Sequence, residues 1–420
     1  MKIPFKKANI LLPKDVDMTK WSVIACDQYT SELGYWEEVE EFVGNAPSTL
    51  NLVLPEVYLE DENVDEKIKN INKNMEELLN EGIFNEYKDS LIYVERTDSN
   101  GRVREGLIGM VDLEDYSYEA DSTTLIRATE KTVVERIPPR VKVRSNALLE
   151  LPHIMILIDD DRKKIIEPLK EKVKEENVLY DFDLMKNGGH IKGFLLDDLV
   201  ADSILLKLDL LSNQQYFNEK YSLEDKPVLL FAMGDGNHSL ATAKACYESI
   251  KKTMPKELYL KHPSRYALVE LVNLHSDALE FEAIHRVIFN VNPKDLLKEL
   301  GKYYDISYEK CIGQRIEYVY DKGEGFLWIK NPKSNLAVGS LQSFLDKYLK
   351  NHAGKIDYVH GDDITRELGR KKGNISFLLP AMRKDELFKT VILDGALPRK
   401  TFSMGHSNDK RFYLEARKIK

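Results

Sequence analysis

The chain has 420 residues, of which 43% are hydrophobic and 31% charged, with a formal net charge of −9. That length supports two or three domains, and the composition is that of an ordinary globular protein. The acidic balance repels nucleic acid and anionic membrane, and no apolar stretch approaches the roughly 18 residues that span a bilayer.

The opening residues lack a signal-peptide core. Cys26, Cys246 and Cys311 are odd in number and form no C-x-x-C pair. Both features predict a cytoplasmic chain with neither disulfide frame nor zinc site, and the acidic balance favours a small-molecule partner.

Up to about residue 54 the chain reads as irregular. Val64, Ile68, Ile71, Met75 and Leu78 mark an amphipathic helix. Stretches 91–95 and 107–111 read as strands of a hairpin around Asp98-Ser99-Asn100-Gly101. Next come a strand at 153–158, a helix at 163–176, a strand at 191–196 and a helix at 198–211. Val228 to Gly234 is strand-like, and Leu240, Ala243, Tyr247, Ile250 and Met254 then follow helical spacing. From about 255 a second pattern begins, with strands at 265–274 and 283–289, a helix at 293–304 and a hairpin at 316–329. A helix at 341–351, strands at 356–360 and 375–379 and a last helix at 385–391 complete it. Without regular β-α alternation the order predicts an α+β fold, in domains 1–254 and 255–420.

Gly234-Asp235-Gly236-Asn237-His238-Ser239, between strand and helix, carries the strongest chemical signal. A helix start leaves backbone N–H groups free for an anion, and two glycines permit close approach or positive φ. Asp235 and His238 add an acid and an imidazole, although Asp, Asn and Ser also serve as ordinary caps. A second constellation is Leu125-Ile126-Arg127-Ala128-Thr129-Glu130-Lys131-Thr132, where cations and hydroxyls adjoin one carboxylate. It suits phosphate binding, and competes with a salt-bridged surface strand.

Arg136 precedes Arg140, Lys142 and Arg144, and those three share one face if the segment is extended. Asp27 sits in a hydroxyl-rich loop. His285 lies on an apolar strand, where a satisfied core histidine is the ordinary reading. Leu397 to His406, with Arg399, again combines cations, hydroxyls and a glycine. The chain has no G-x-x-x-x-G-K-[ST], no third glycine of a dinucleotide fingerprint, no G-x-S-x-G and no H-E-x-x-H.

Five ordered blocks, at 25–31, 125–132, 234–243, 284–286 and 397–402, resemble the family named domain of unknown function 1015. Its commoner glycine motif, D-G-H-H-R, is similar to the G-x-x-R box of the ParB/sulfiredoxin superfamily. That superfamily includes free-serine kinases, and its box cradles nucleotide phosphates. The resemblance implies a mixed-sheet ParB/sulfiredoxin-like core with a second α/β domain. Here Asn237 stands for the first His and Ser239 for the phosphate-binding Arg, so a phosphate site must draw charge from Arg127, Arg144 or Arg399.

The reading that follows is a phosphotransferase using ATP, ADP or pyrophosphate with Mg²⁺ on a small hydroxylated metabolite, free serine included. Gly234, Gly236, Asn237, Ser239, Arg127, Thr129, Arg144 and Arg399 would bind the donor. Asp235 would orient the acceptor or a metal, His238 would contact the phosphoryl group, and Glu130 would be general base. A non-catalytic phosphometabolite sensor and a metal-dependent hydrolase using Asp235, His238 and Glu130 are the alternatives.

Overall fold

A computed structural model describes residues 3–132, 137–405 and 409–420. Arg136 and His406, singled out above, lie outside the described residues. The chain divides into two compact units: Met1–Ala128 with Thr132–Leu279 and His406–Lys420, and Thr129–Lys131 with Glu280–Gly405. The break expected at 254 therefore falls later. Tyr266–Asn273 pairs with Val103–Asp112 on one side and Met155–Ile158 on the other, which makes it a central strand of the first unit.

The first unit is built on a mixed sheet. Its spatial order is Val178–Asp183, His190–Leu195, Ile92–Thr97, Val103–Asp112, Tyr266–Asn273, Met155–Ile158, Phe231–Asp235, Ile126–Arg127 and Tyr116–Ser117, with Phe5–Lys6 added beside Val103–Asp112. Met155–Ile158 runs parallel to Tyr266–Asn273 and antiparallel to Phe231–Asp235. The central strands are apolar on both faces, as fully covered strands require: Leu268, Val269, Leu271 and Val272 are all buried. One core cluster joins Val23, Ile24, Trp36, Ile92, Ile108 and Leu268 to the C-terminal Phe412, Tyr413 and Leu414.

The hairpin at Asp98 forms as expected. Asp98 Oδ1 accepts the Asn100 and Arg102 N–H groups, and Gly101 takes φ +79°. Two expectations change. Residues 163–176 form short 3₁₀ turns, Glu167–Glu171 and Glu175–Asn177, because Pro168 removes a helix donor. The basic stripe is not extended: Ile137–Arg144 is a helix whose two prolines sit in the first turn, where their missing N–H costs nothing.

The second unit has its own sheet, in the order Ile306–Ser307, Gly323–Ile329, Gln314–Tyr320, Ile375–Leu378, Phe281–Phe289 and Lys355–His360. Helices Pro293–Tyr303, Ala337–Asn351, Asp362–Gly369 and Lys384–Asp394 accompany it. His285 is the satisfied core residue expected of it: Nε2 pairs with Asp362 at 2.9 Å and Nδ1 accepts the Leu379 N–H at 3.1 Å. Among the described residues of either unit, no helix is long and apolar enough to cross a membrane.

Candidate functional site

The strand Phe231–Asp235 ends in a bulge. Met233 pairs with Ile156 and Asp235 with Met155, so Gly234 is the extra residue and the strand bends there. A Cβ on Gly234 would meet Leu157 Cγ at 3.1 Å and the Met155 carbonyl at 3.2 Å. Gly236 then turns the chain at φ +75° and caps helix Asn237–Thr253, with its α-carbon packed so close that a Cβ would lie 3.0 Å from Ile154 Cα. No side chain caps this helix start. The N–H groups of Asn237, His238 and Ser239 therefore stand at the positive end of a long helix dipole.

Asp235 Oδ1 accepts the Gly236 N–H at 2.8 Å, and Oδ2 lies 3.1 Å from Lys410 Nζ. Burial pushes the Asp235 carboxyl up, but the Lys410 charge and hydrogen bond, with His153 and the Gly236 N–H, hold it below the usual carboxylate range. Ser239 Oγ is 2.9 Å from His153 Nε2, and His153 Nδ1 is 2.9 Å from the Tyr413 hydroxyl. The Cys26 N–H donates to that hydroxyl at 3.1 Å, and Asp27 Oδ2 stands 3.7 Å from His153 Nε2. Beyond Asp27, Glu56 pairs with Arg140 while the Glu56 N–H donates to the Cys26 carbonyl at 2.8 Å. Burial raises the Glu56 carboxyl, Arg140 opposes this, and the Asp27 charge adds to it.

Several expected site residues are engaged elsewhere. Arg127 is buried, and its guanidinium donates to the carbonyls of Thr124 at 2.8 Å and of Pro227 and Val228 at 2.9 Å. Its charge braces two loops instead of facing a phosphate. Arg144 pairs with Glu150, which also binds Arg417. In the second unit, Glu130 accepts the N–H groups of Lys400 at 3.2 Å and Thr401 at 3.0 Å, so both carboxylate oxygens hold a loop. Thr129 is buried and its carbonyl accepts the Leu397 N–H at 2.7 Å. Arg399 Nε donates to the Tyr358 hydroxyl at 2.8 Å. His238 is half-buried on the first helical turn, and its carbonyl accepts Thr242 Oγ1 at 2.7 Å.

The cation that the turn acquires is Lys410, which sequence reasoning missed along with His153, Tyr413 and Glu56. His153 precedes the apolar strand Met155–Ile158 and Lys410 follows Asp409 near the C-terminus; neither position carries a local motif. Among the described residues, no three His, Cys, Asp or Glu side chains converge to hold a metal ion. Of the three residues named for the metal-hydrolase alternative, Asp235 is paired to Lys410 and Glu130 holds backbone N–H groups of the second unit.

Fold and site together define a mixed α/β protein in which a helix start without a side-chain cap adjoins a Ser–His–Tyr chain and a Lys–Asp pair. The chain belongs to the DUF1015 family, described as a protein of unknown function, which matches residues 3–348. No curated protein matches it. Among solved structures it is similar to a point mutant of a free serine kinase in complex with ADP, at 10% identity and TM-score 0.40, covering 76% of this chain and 93% of that one. It is also similar to a conserved hypothetical protein from Pyrococcus furiosus, at 9% identity and TM-score 0.36, covering 74% and 94%. A third is C-terminally truncated SbnI from Staphylococcus aureus, at 7% identity and TM-score 0.37, covering 71% and 82%.

Proposed function

We propose that the protein is a phosphotransferase, moving a phosphoryl group from a nucleotide or pyrophosphate to the hydroxyl of a small metabolite, free serine being the first acceptor to test. The observation that carries the reading is Lys410 at 3.1 Å from Asp235, beside an uncapped helix start. It supplies the positive charge that Ser239, in place of an arginine, does not. Phosphoryl transfer needs positioning and charge neutralisation more than covalent chemistry. Here the N–H groups of Asn237, His238 and Ser239 face the phosphates, Lys410 neutralises them, and Asp235 holds Lys410 in place. His153, with Asp27 beside it, moves the proton. Mg²⁺ that enters with the nucleotide is held largely by phosphate oxygens and belongs to the substrate. A ParB/sulfiredoxin-like core and a cytoplasmic site of action belong to the same proposal.

Phosphorus NMR tests it: purified protein with Mg²⁺, each donor in turn and pooled amino acids should consume donor and form one new phosphomonoester. Donor binding without turnover would instead make the protein a sensor of phosphorylated metabolites, and absence of both would end the proposal.

A further inference from the structure

We propose that Ser239 is a nucleophile and that the transferred phosphoryl group passes through a phosphoserine at this position; for its donor, the inference rests on the phosphotransfer reading above. Ser239 is the third residue of helix Asn237–Thr253 and half-buried, so an oxygen bound to its phosphorus would lie against the helix-start N–H groups. Its Oγ is 2.9 Å from His153 Nε2, within the reach of a general base.

The step uses one tautomer of His153. Burial holds the Tyr413 hydroxyl far above its usual range, so it keeps its proton. In that tautomer the Tyr413 oxygen accepts the Nδ1–H of His153 at 2.9 Å, beside the Cys26 N–H at 3.1 Å. Nε2 then carries a lone pair and accepts the Ser239 hydroxyl. Asp27 Oδ2, 3.7 Å from Nε2, is placed to stabilise the imidazolium that forms when that proton arrives.

The steps balance. Ser239 Oγ attacks the terminal phosphorus of the nucleotide, and its proton moves to His153 Nε2. The Oγ–P bond forms as the bond from phosphorus to the bridging oxygen breaks, and the shortened nucleotide leaves with that electron pair. His153 gives the proton to the departing oxygen and is neutral again. The acceptor hydroxyl then attacks the phosphoserine, and His153 takes its proton and returns it to Ser239 Oγ as the Oγ–P bond breaks.

A bland alternative is that the Ser239–His153 bond only ties helix to strand, and reactivity separates the two. The full chain is treated with a fluorophosphonate reporter, which reads nucleophilicity without any donor. In parallel it is given ATP, ADP or pyrophosphate labelled in the terminal phosphoryl group, and peptide mass spectrometry locates each adduct. The expected result is an adduct of both kinds on Ser239, absent in Ser239→Ala and formed roughly 10²-fold or more slowly in His153→Asn. Because His153 is buried and its variant can misfold, the wild-type chain is decisive: no fluorophosphonate adduct on Ser239 overturns the proposal. So does labelling of folded His153→Asn at the wild-type rate, or phosphoryl transfer by Ser239→Ala at the wild-type rate; the last leaves the phosphotransfer reading standing. Fluorophosphonate labelling without any donor turnover overturns the phosphoserine and that reading together.

Discussion

Lys410 Nζ lies 3.1 Å from Asp235 Oδ2, so the C-terminal segment delivers a cation to the turn that ends the strand Phe231–Asp235. A charge-assisted hydrogen bond contributes about 1.5–3 kcal/mol, or roughly a tenfold to hundredfold change in affinity. Lys410→Met is therefore expected to weaken binding of an anionic nucleotide by that factor, measured by calorimetry. The pair also has a pH signature. The Asp235 carboxyl is held below its ordinary value of 3.8, so its contribution is present at neutral pH and lost as pH falls through its lowered value. Nucleotide affinity equal to wild type would take Lys410 out of the site.

Gly236→Ala tests the turn itself. The αL conformation at φ +75° costs about 1–2 kcal/mol for a residue with a Cβ, and here the new atom also meets Ile154 Cα at 3.0 Å. Gly101, in the hairpin turn at Asp98, is a control with φ +79° and nothing within 4 Å of the place a Cβ would occupy. Urea unfolding should show a larger loss for Gly236→Ala than for Gly101→Ala, and only the former should lose ligand. Equal losses would mean that the Ile154 contact relaxes freely.

What was legible in the sequence follows range of contact. Asp235, Gly236 and the helix after them were readable because strand, turn and helix are neighbours in the chain. His153 and Lys410 reach the same turn through tertiary pairing, which no spacing encodes. Arg127 illustrates the opposite error: cation and hydroxyls in one block suggested a phosphate, but the residue is buried among carbonyls. The failure at 163–176 is local, since apolar periodicity there suggests a helix that Pro168 does not permit. Both sheets and most helices were recoverable because their apolar patterns match their burial.

Glu270 anchors the frame under the site. Arg104 and Arg411 both bind it, and Arg411 also donates to Glu415 at 2.6 Å and to the Pro152 carbonyl at 3.0 Å, next to His153. Burial pushes the Glu270 carboxyl up, yet the two guanidinium groups bring it from 4.5 down to about 2. Its contribution to folding, about 3 kcal/mol, is thus complete above about pH 4.5 and is lost as pH falls toward 2. Glu270→Gln leaves two buried cations under-paired and should cost roughly 3–5 kcal/mol at neutral pH in urea unfolding. The variant should also show a flatter acid limb between those two pH values, and an unchanged limb would assign acid sensitivity to other carboxylates.

Arg127 and Lys410 make opposite predictions, which separates a structural cation from a ligand-binding one. Removal of the Arg127 guanidinium leaves the carbonyls of Thr124, Pro227 and Val228 without their donor. Arg127→Met should therefore lose roughly 2–4 kcal/mol of stability, while the fraction that remains folded binds nucleotide with wild-type affinity. Lys410 holds one partly buried carboxylate, so its removal should cost about 1.5–3 kcal/mol of stability, and affinity falls with it. Urea unfolding and calorimetry on the same two variants check both halves. If Arg127→Met lost affinity without losing stability, its guanidinium would have to leave the three carbonyls to meet the ligand, and the assignment of the two cations would reverse.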